Sequence, residues 1–312
     1  MKKYLIAGVM ALMGSTAMAG DIGVAMARFD DNFLTVLRNG IDAYAKEKGQ
    51  TVQIEDGGND VAKQLDQVKN FIASGVSAII VNAVDTSATQ AISDAAAAAN
   101  IPLVYVNRQP INVDTMPDNQ AFVASNEVDS GTLETKEVCR LLKEAGKTEA
   151  NVYVMEGELS NQAAVQRTAD IHDVIGGADC GVKVNIIDEQ TANWNRDEAQ
   201  TLMTNWLSTG TAFDAVIANN DEMALGAILA MKAANMDMAT VIVGGVDATQ
   251  DALAAMAAGD LDATVFQDAA GQGKGALDAA MTLASGGAVE QKVYIPFQLV
   301  TPANVADFTK KN

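Results

Sequence analysis

The 312-residue sequence is poor in the groups that most catalytic and nucleic-acid-binding chemistries require. It holds one histidine, His172, set in a helical stretch after Arg167, where a solvated helix residue is the plainer reading than a general base. There is no GxSxG elbow, no HExxH helix and no phosphate loop, and no D-x-[DN]-x-[DN]-G calcium loop. Basic residues number 21 against 40 acids, a net charge of −19. Such a field repels phosphates, so a DNA or RNA partner is excluded. Aromatic residues make up only 5%, while Ala, Val, Ile and Leu are abundant, the usage of an α/β protein with buried parallel strands. No metal or cofactor is expected. Cysteines number two, Cys139 and Cys180, which either close one bridge or stay as buried thiols.

The first twenty residues have the order of an export signal. Lys2 and Lys3 are followed by the apolar stretch Tyr4–Met13 and by Ala17-Met18-Ala19 just before Gly20. The apolar run falls short of the roughly 20 residues that span a bilayer. No cysteine sits at the cleavage point, which argues against a lipid anchor. Removal of residues 1–20 takes away two lysines and no acid, leaving a net charge of about −21 on a chain expected in the periplasm. In that compartment a disulfide can persist.

Beyond residue 20, short apolar strands alternate with amphipathic helices. Strands are expected at 21–26, 51–56, 78–83, 102–107 and 122–126, then at 151–156, 182–188, 214–219, 239–246 and 263–268. In the stretch 33–49, Phe33, Val36, Leu37, Ile41 and Tyr44 recur at helical spacing, and Gly49 stands at the C-cap. Strict alternation predicts parallel sheets covered by helices on both faces. The segment 67–82 is similar to 201–220, and 101–108 to 240–247. Any βαβα chain resembles itself to a degree. Here corresponding strands also end in corresponding polar groups, which favours two doubly wound lobes facing one cleft, with ligand beyond the carboxyl ends of the strands.

Those strand ends carry a coherent chemical set: Arg28, Phe29, Asp30, Asp31 and Phe33; Asn82; Asn107 with Arg108; then Glu156, Arg167, Trp194, Asn220, Asp247 and Gln267. Carboxylates accept, amides accept and donate, and guanidinium groups donate in a fixed fork. A sugar or cyclitol has vicinal hydroxyls around an apolar C–H face and suits such a mixture with an aromatic platform. Taken singly, each Asn or Asp is equally well a helix cap or turn residue. In NDEM (220–223), Asn220 is expected to face the cleft and Asp221 to cap the helix. Arg108 is also readable as a surface charge and Trp194 as core. GQGKG (271–275) reads as a close-packed helix start.

Five segments carry a resemblance: FDDNFLTVLRNGI (29–41), AIIVNAVD (78–85), IPLVYVNRQ (101–109), ANNDEMALGAI (218–228) and VGGVDATQDAL (243–253). Over residues 21–300 the chain resembles the ribose/galactose/inositol class of periplasmic sugar-binding proteins, of type I fold. The resemblance implies three crossings between lobes, near 124–126, 265–268 and 295–298. It places residues 21–124 plus 268–296 in one lobe and 125–267 plus 297–312 in the other. It implies that Phe33 stacks on the sugar with Asp31 beside it. Asn82, Asn107 and Arg108 would meet hydroxyls from the first lobe; Arg167, Trp194, Asn220, Asp247 and Gln267 would do so from the second lobe and hinge.

Two departures bear on the ligand. Leu34 stands where the ribose-type pattern has a second aromatic, and Asn107 where it has Asp. With Asp30 and Asp31 together, they point to a cyclic polyol such as myo-inositol or a rhizopine-like amino-inositol, with ribose, galactose or another monosaccharide as the alternative. The implied partner is an ABC-importer permease, with a chemoreceptor as a second candidate reader, and the expected state is a monomer. Paired acids also serve glycosidases, but here Arg and Asn partners would keep them ionised. A sugar-responsive repressor of the same fold would need a basic helix-turn-helix ahead of the first strand, where this chain has its export-type segment.

Overall fold

The computed structural model describes residues 21–311; the export-type segment 1–20 lies outside the described residues. Among the described residues, twelve strands and nine α-helices follow in near alternation. The first half runs β1 (Ile22–Met26), α1 (Asn32–Lys48), β2 (Val52–Asp56), α2 (Val61–Ser74), β3 (Ala78–Val81), α3 (Thr89–Ala98), β4 (Leu103–Val106) and β5 (Gln120–Ala124). Then come α4 (Glu127–Glu144), β6 (Glu149–Glu156), α5 (Gln162–Gly176), β7 (Lys183–Thr191), α6 (Arg196–Ser208), β8 (Ala215–Ala218), α7 (Asp221–Ala233), β9 (Ile242–Gly244), α8 (Gln250–Ala258) and β10 (Thr264–Phe266). The chain ends with α9 (Ala269–Ala284), β11 (Lys292–Tyr294) and β12 (Gln298–Val300).

Two parallel sheets result. The first has the order β11-β5-β4-β3-β1-β2, the second β7-β6-β8-β9, and β10 pairs antiparallel with β12 beside the second. Strands β1, β3, β4 and β5 are buried along their whole length, as apolar strands covered on both faces must be. The chain passes between the sheets three times, at 124–127, 266–269 and 294–298, so the fold is two doubly wound lobes on a three-strand hinge. Strands β11 and β12 were absent from the expected set. Each has three residues with a mixed exposure pattern, too short for a periodic signal.

Local sequence accounts for the helix ends. Asp31 caps α1 by accepting from the Leu34 N–H at 2.8 Å, and Gly49 closes it at φ 68°. Phe33, Leu34, Leu37 and Ile41 form the buried face of α1. Helix α9 packs on α1 through Gly273, where a Cβ would stand 3.1 Å from the Leu37 carbonyl oxygen and the Ile41 N, so the GQGKG stretch is a helix contact.

Cys139 on α4 and Cys180 after α5 are joined in a disulfide, with Cα atoms 5.0 Å apart. It closes a loop with a sequence separation of 41, for which chain-entropy accounting gives about 4 kcal/mol. Replacing both cysteines by alanine is therefore expected to lower the unfolding free energy by about 2–4 kcal/mol. Urea titration of the two proteins checks this; coincident midpoints would contradict it.

Candidate functional site

The carboxyl ends of the two sheets face each other across a shared cavity. The β1–α1 connection and the start of α1 contribute Asp31, Phe33 and Leu34, and the end of β4 contributes Asn107 and Arg108. From the second lobe come Glu127 at the start of α4, Asn161, Ala163 and Arg167 on or capping α5, and Trp194, Asn220 and Asp247. Gln267 enters from the crossing after β10.

Buried bonds hold these groups in place. Arg167 donates from Nε and one terminal nitrogen to both oxygens of Glu127, at 2.7 and 3.1 Å, and from the other terminal nitrogen to the Asn219 carbonyl at 2.7 Å. Its guanidinium lies 5.5 Å from the Trp194 ring centroid and 3.9 Å from the Asp247 carboxylate. Burial alone would lower the Arg167 pKa; Glu127 and Asp247 outweigh it and raise it. Arg108 donates to the carbonyls of Ala83 and Val84 at 3.0 and 3.3 Å, which makes it a buried cavity residue and not a surface charge.

Asn107 sits at φ 68°, a left-handed position that Asn tolerates. It donates to Gln272 at 3.2 Å and accepts from Asn82 at 3.3 Å. Asn82 is fully buried behind it and does not line the cavity. In NDEM the expected roles are revised. Asn220 both lines the cavity and caps α7, accepting from the Met223 N–H at 3.1 Å. Asp221 turns into the interior to accept from the Thr249 N–H at 2.9 Å and the Thr264 hydroxyl at 2.7 Å, and burial pushes it up to about 7. Burial likewise raises Asp247 well above the usual carboxylate range, against the pull of Arg167.

Four further candidates stand outside the central cavity. Arg28 lies at its rim, 3.1 Å from Glu158 and 3.5 Å from Asp31. Phe29 is exposed beneath the Arg38 guanidinium, and the Asp30 side chain is 86% exposed. Glu156 ends β6 half-buried opposite Thr191, on the strand face that Val152 and Val154 pack against α5, and does not line the cavity. Conversely, Glu127 and Asn161 line the cavity and were not among the expected residues. Glu127 follows a strand end like the others, and Asn161 is the cap of α5, so the strand-end rule could have found the first. His172 is exposed and bonded to Glu189 at 2.8 Å.

The two lobes touch around the cavity. Glu158 accepts from Arg28 and Asn59, Asn32 donates to Glu222 at 2.7 Å, and the Thr86 N–H donates to the Ser160 carbonyl at 3.1 Å. The wall thus presents three carboxylates, two guanidinium groups and four amides around Phe33 and Trp194. It offers donors and acceptors on all sides of a small polar ring. Among the described residues no group of three His, Cys, Asp or Glu side chains is placed to hold a metal, and no helix is long and apolar enough to cross a membrane.

Residues 22–288 match the family described as the periplasmic binding protein domain, and the chain belongs to that family. It is a periplasmic-type solute-binding protein of the ABC-importer kind and not an enzyme. Over the full length of both chains it is 61% identical to a Rhizobium meliloti protein provisionally named as rhizopine-binding. It is 32% identical to a ribose import binding protein of Bacillus subtilis, over 90% of this chain and 87% of that one. Among solved structures it is similar to a Bacillus halodurans ABC-transporter solute-binding protein with bound myo-inositol. The TM-score is 0.87 at 41% identity, covering 95% of this chain and 100% of that one.

Behind the cavity, Asp170 on α5 accepts from Gln166 at 2.7 Å while its other oxygen is buried without a partner. Burial, against that hydrogen bond, pushes it from its ordinary 3.8 up to about 7. A carboxyl with a raised folded pKa holds its proton more tightly when folded, so its contribution is present at low pH and is lost as pH climbs from about 4 to about 7. Asp170→Asn should therefore shrink the fall in unfolding free energy between pH 5 and pH 8. Urea titrations at the two pH values measure it, and an unchanged difference would contradict the assignment.

Proposed function

We propose that this protein captures a cyclic polyol, myo-inositol or an amino-inositol, and delivers it to the permease of an ABC importer. The observation that carries the reading is the cavity wall itself. Phe33 and Trp194 offer apolar faces, while Asp31, Asn107, Arg108, Asn220, Asp247 and Gln267 surround the space between them with donors and acceptors from both lobes and the hinge. A ring with a hydroxyl on every carbon needs partners all round its edge, and an analogue lacking one leaves a buried group unpaired. Leu34 and Asn107, which depart from the ribose-type pattern, both line this space. The 41% identical neighbour with bound myo-inositol and the 61% identical relative named for rhizopine support the same choice. A monosaccharide is the second reading, favoured by the ribose-binding relative.

In this account the lobes, residues 21–124 plus 268–296 and residues 125–267 plus 297–312, close on the ligand by bending at the three crossings. Arg28, Asn59 and Thr86 then meet Glu158 and Ser160 at the rim, and the permease reads the joined surfaces. Residues 1–20 direct export to the periplasm and are removed, and the mature chain works as a monomer.

A thermal-shift screen of inositols, amino-inositols, pentoses and hexoses tests the ligand. A solute at a hundred times its Kd stabilises the folded state by about 2.7 kcal/mol, and the largest shift is expected from a cyclitol. A larger shift with ribose or galactose would select the second reading. Asp247→Ala and Arg108→Ala should each weaken calorimetric binding more than tenfold, about 1.4 kcal/mol. Wild-type titration curves from both variants would remove the site assignment.

A further inference from the structure

Gly157 stands between the end of β6 and Glu158, and its φ is outside the left-handed region, so its backbone would accept a side chain. What forbids one is the Trp194 ring. A Cβ built on Gly157 would overlap Cε2, Cζ2 and Cη2 of that indole. Neither partner is free to move apart. The Gly157 N–H donates to Asn219 Oδ1 at 3.0 Å, and its carbonyl accepts from the Thr191 hydroxyl at 2.7 Å. The preceding strand is paired on both sides, to β7 and to β8.

Trp194 is held as firmly. It and Asn193 adopt φ of 62° and 53°, a conformation that bulky residues rarely take. The Asn193 N–H donates to the Thr191 hydroxyl oxygen at 3.2 Å, and Asn195 caps α6 by accepting from the backbone N–H groups of Asp197 and Glu198. The same Thr191 hydroxyl therefore ties both sides of the Gly157–Trp194 contact together. The ring lines the cavity, and the Arg167 guanidinium lies 5.5 Å from its centroid. Its indole N–H is buried with no hydrogen-bond partner among the described residues.

We propose that Gly157 is a positioning residue for the solute site: lacking a side chain, it lets the Trp194 ring seat against the end of β6 and so keeps the cleft wide enough for a six-membered polyol. The proposal rests on reading this cavity as the solute site. A methyl group at this position would drive the indole toward Arg167 and narrow the space facing Phe33.

Three variants test it: Gly157→Ala, Trp194→Ala and the two combined. Gly157→Ala is expected to weaken myo-inositol binding at least tenfold and to melt below the wild type. The combined variant is expected to melt where Trp194→Ala melts, because the clash has gone. The Trp194 emission of ligand-free protein, obtained by subtracting the spectrum of Trp194→Phe, is expected to shift on Gly157→Ala. Undiminished affinity for myo-inositol in Gly157→Ala, an unshifted Trp194 emission, or a combined variant that melts as far below Trp194→Ala as Gly157→Ala does below wild type, would each overturn the proposal. Should wild type bind no cyclitol, the functional reading falls, and the melting and emission comparisons decide the role of Gly157 alone.

Discussion

Arg167 carries a permanent charge with almost no access to water, and the junction of the two lobes is arranged around that charge. Removing a guanidinium from water costs several kcal/mol unless its partners and hydrogen bonds are good. Here both oxygens of Glu127 receive it in a two-pronged pair, the Asn219 carbonyl takes a third bond, and the Trp194 and Phe297 rings lie within 6 Å. Glu127 begins α4 just after the first crossing, Phe297 lies on the third, and Gln267 on the second stands 3.5 Å from both Arg167 and Glu127. One ion pair thus touches all three connections between the lobes while also facing the cavity. Loss of either member would leave the other buried and unanswered, a change worth about 3–5 kcal/mol.

The backbone around the cavity is unusual in a related way. Of the non-glycine residues at positive φ, Asn100 and Asn235 lie away from the cavity and Asn59 stands at its rim, and all three are the residue type that tolerates the conformation. At or beside the cavity stand Asn107, Asn193, Trp194, Asp247 and Ala248, and three of those are not asparagine. Such positions cost of order 1–3 kcal/mol each and persist where the surroundings over-determine them. Trp194 and Asp247 present an aromatic face and a carboxylate to the cavity, so local stability is given up where cavity-facing groups are aimed. Three cavity groups also do local structural work: Asp31 caps α1, Asn220 caps α7 and Asn161 caps α5.

Much of this is legible in the chain alone, for physical reasons. Parallel strands buried on both faces must be continuous apolar runs, so β1, β3, β4 and β8 stand out by eye. Because such sheets gather their functional groups at carboxyl ends, the strand-end rule brings Asp31, Asn107, Arg108, Asn220 and Asp247 to one cavity. The rule says nothing of orientation, which is why Glu156 was expected in the cavity and instead lies on the α5-covered face of β6. It also cannot separate the residue that lines a cavity from the one directly behind it, as with Asn107 and Asn82. The roles of Asn220 and Asp221 were divided differently from expectation, since an Asn can cap and line at once while a buried Asp finds threonines 28 and 43 residues away. Gly157 carries no local signal at all, because its requirement comes from a ring 37 positions further along the chain.

On the proposed function, a single polyol ring is enclosed between the lobes, its faces toward Phe33 and Trp194 and its edge toward the surrounding acids, amides and guanidinium groups. A crystal structure of the protein grown with myo-inositol tests this most directly. The account predicts one ring in the central cavity, with Asp247 and Arg108 both within hydrogen-bonding distance of its hydroxyls. A ring bound outside that cavity, or one lying in it that touches residues of one lobe only, would contradict it.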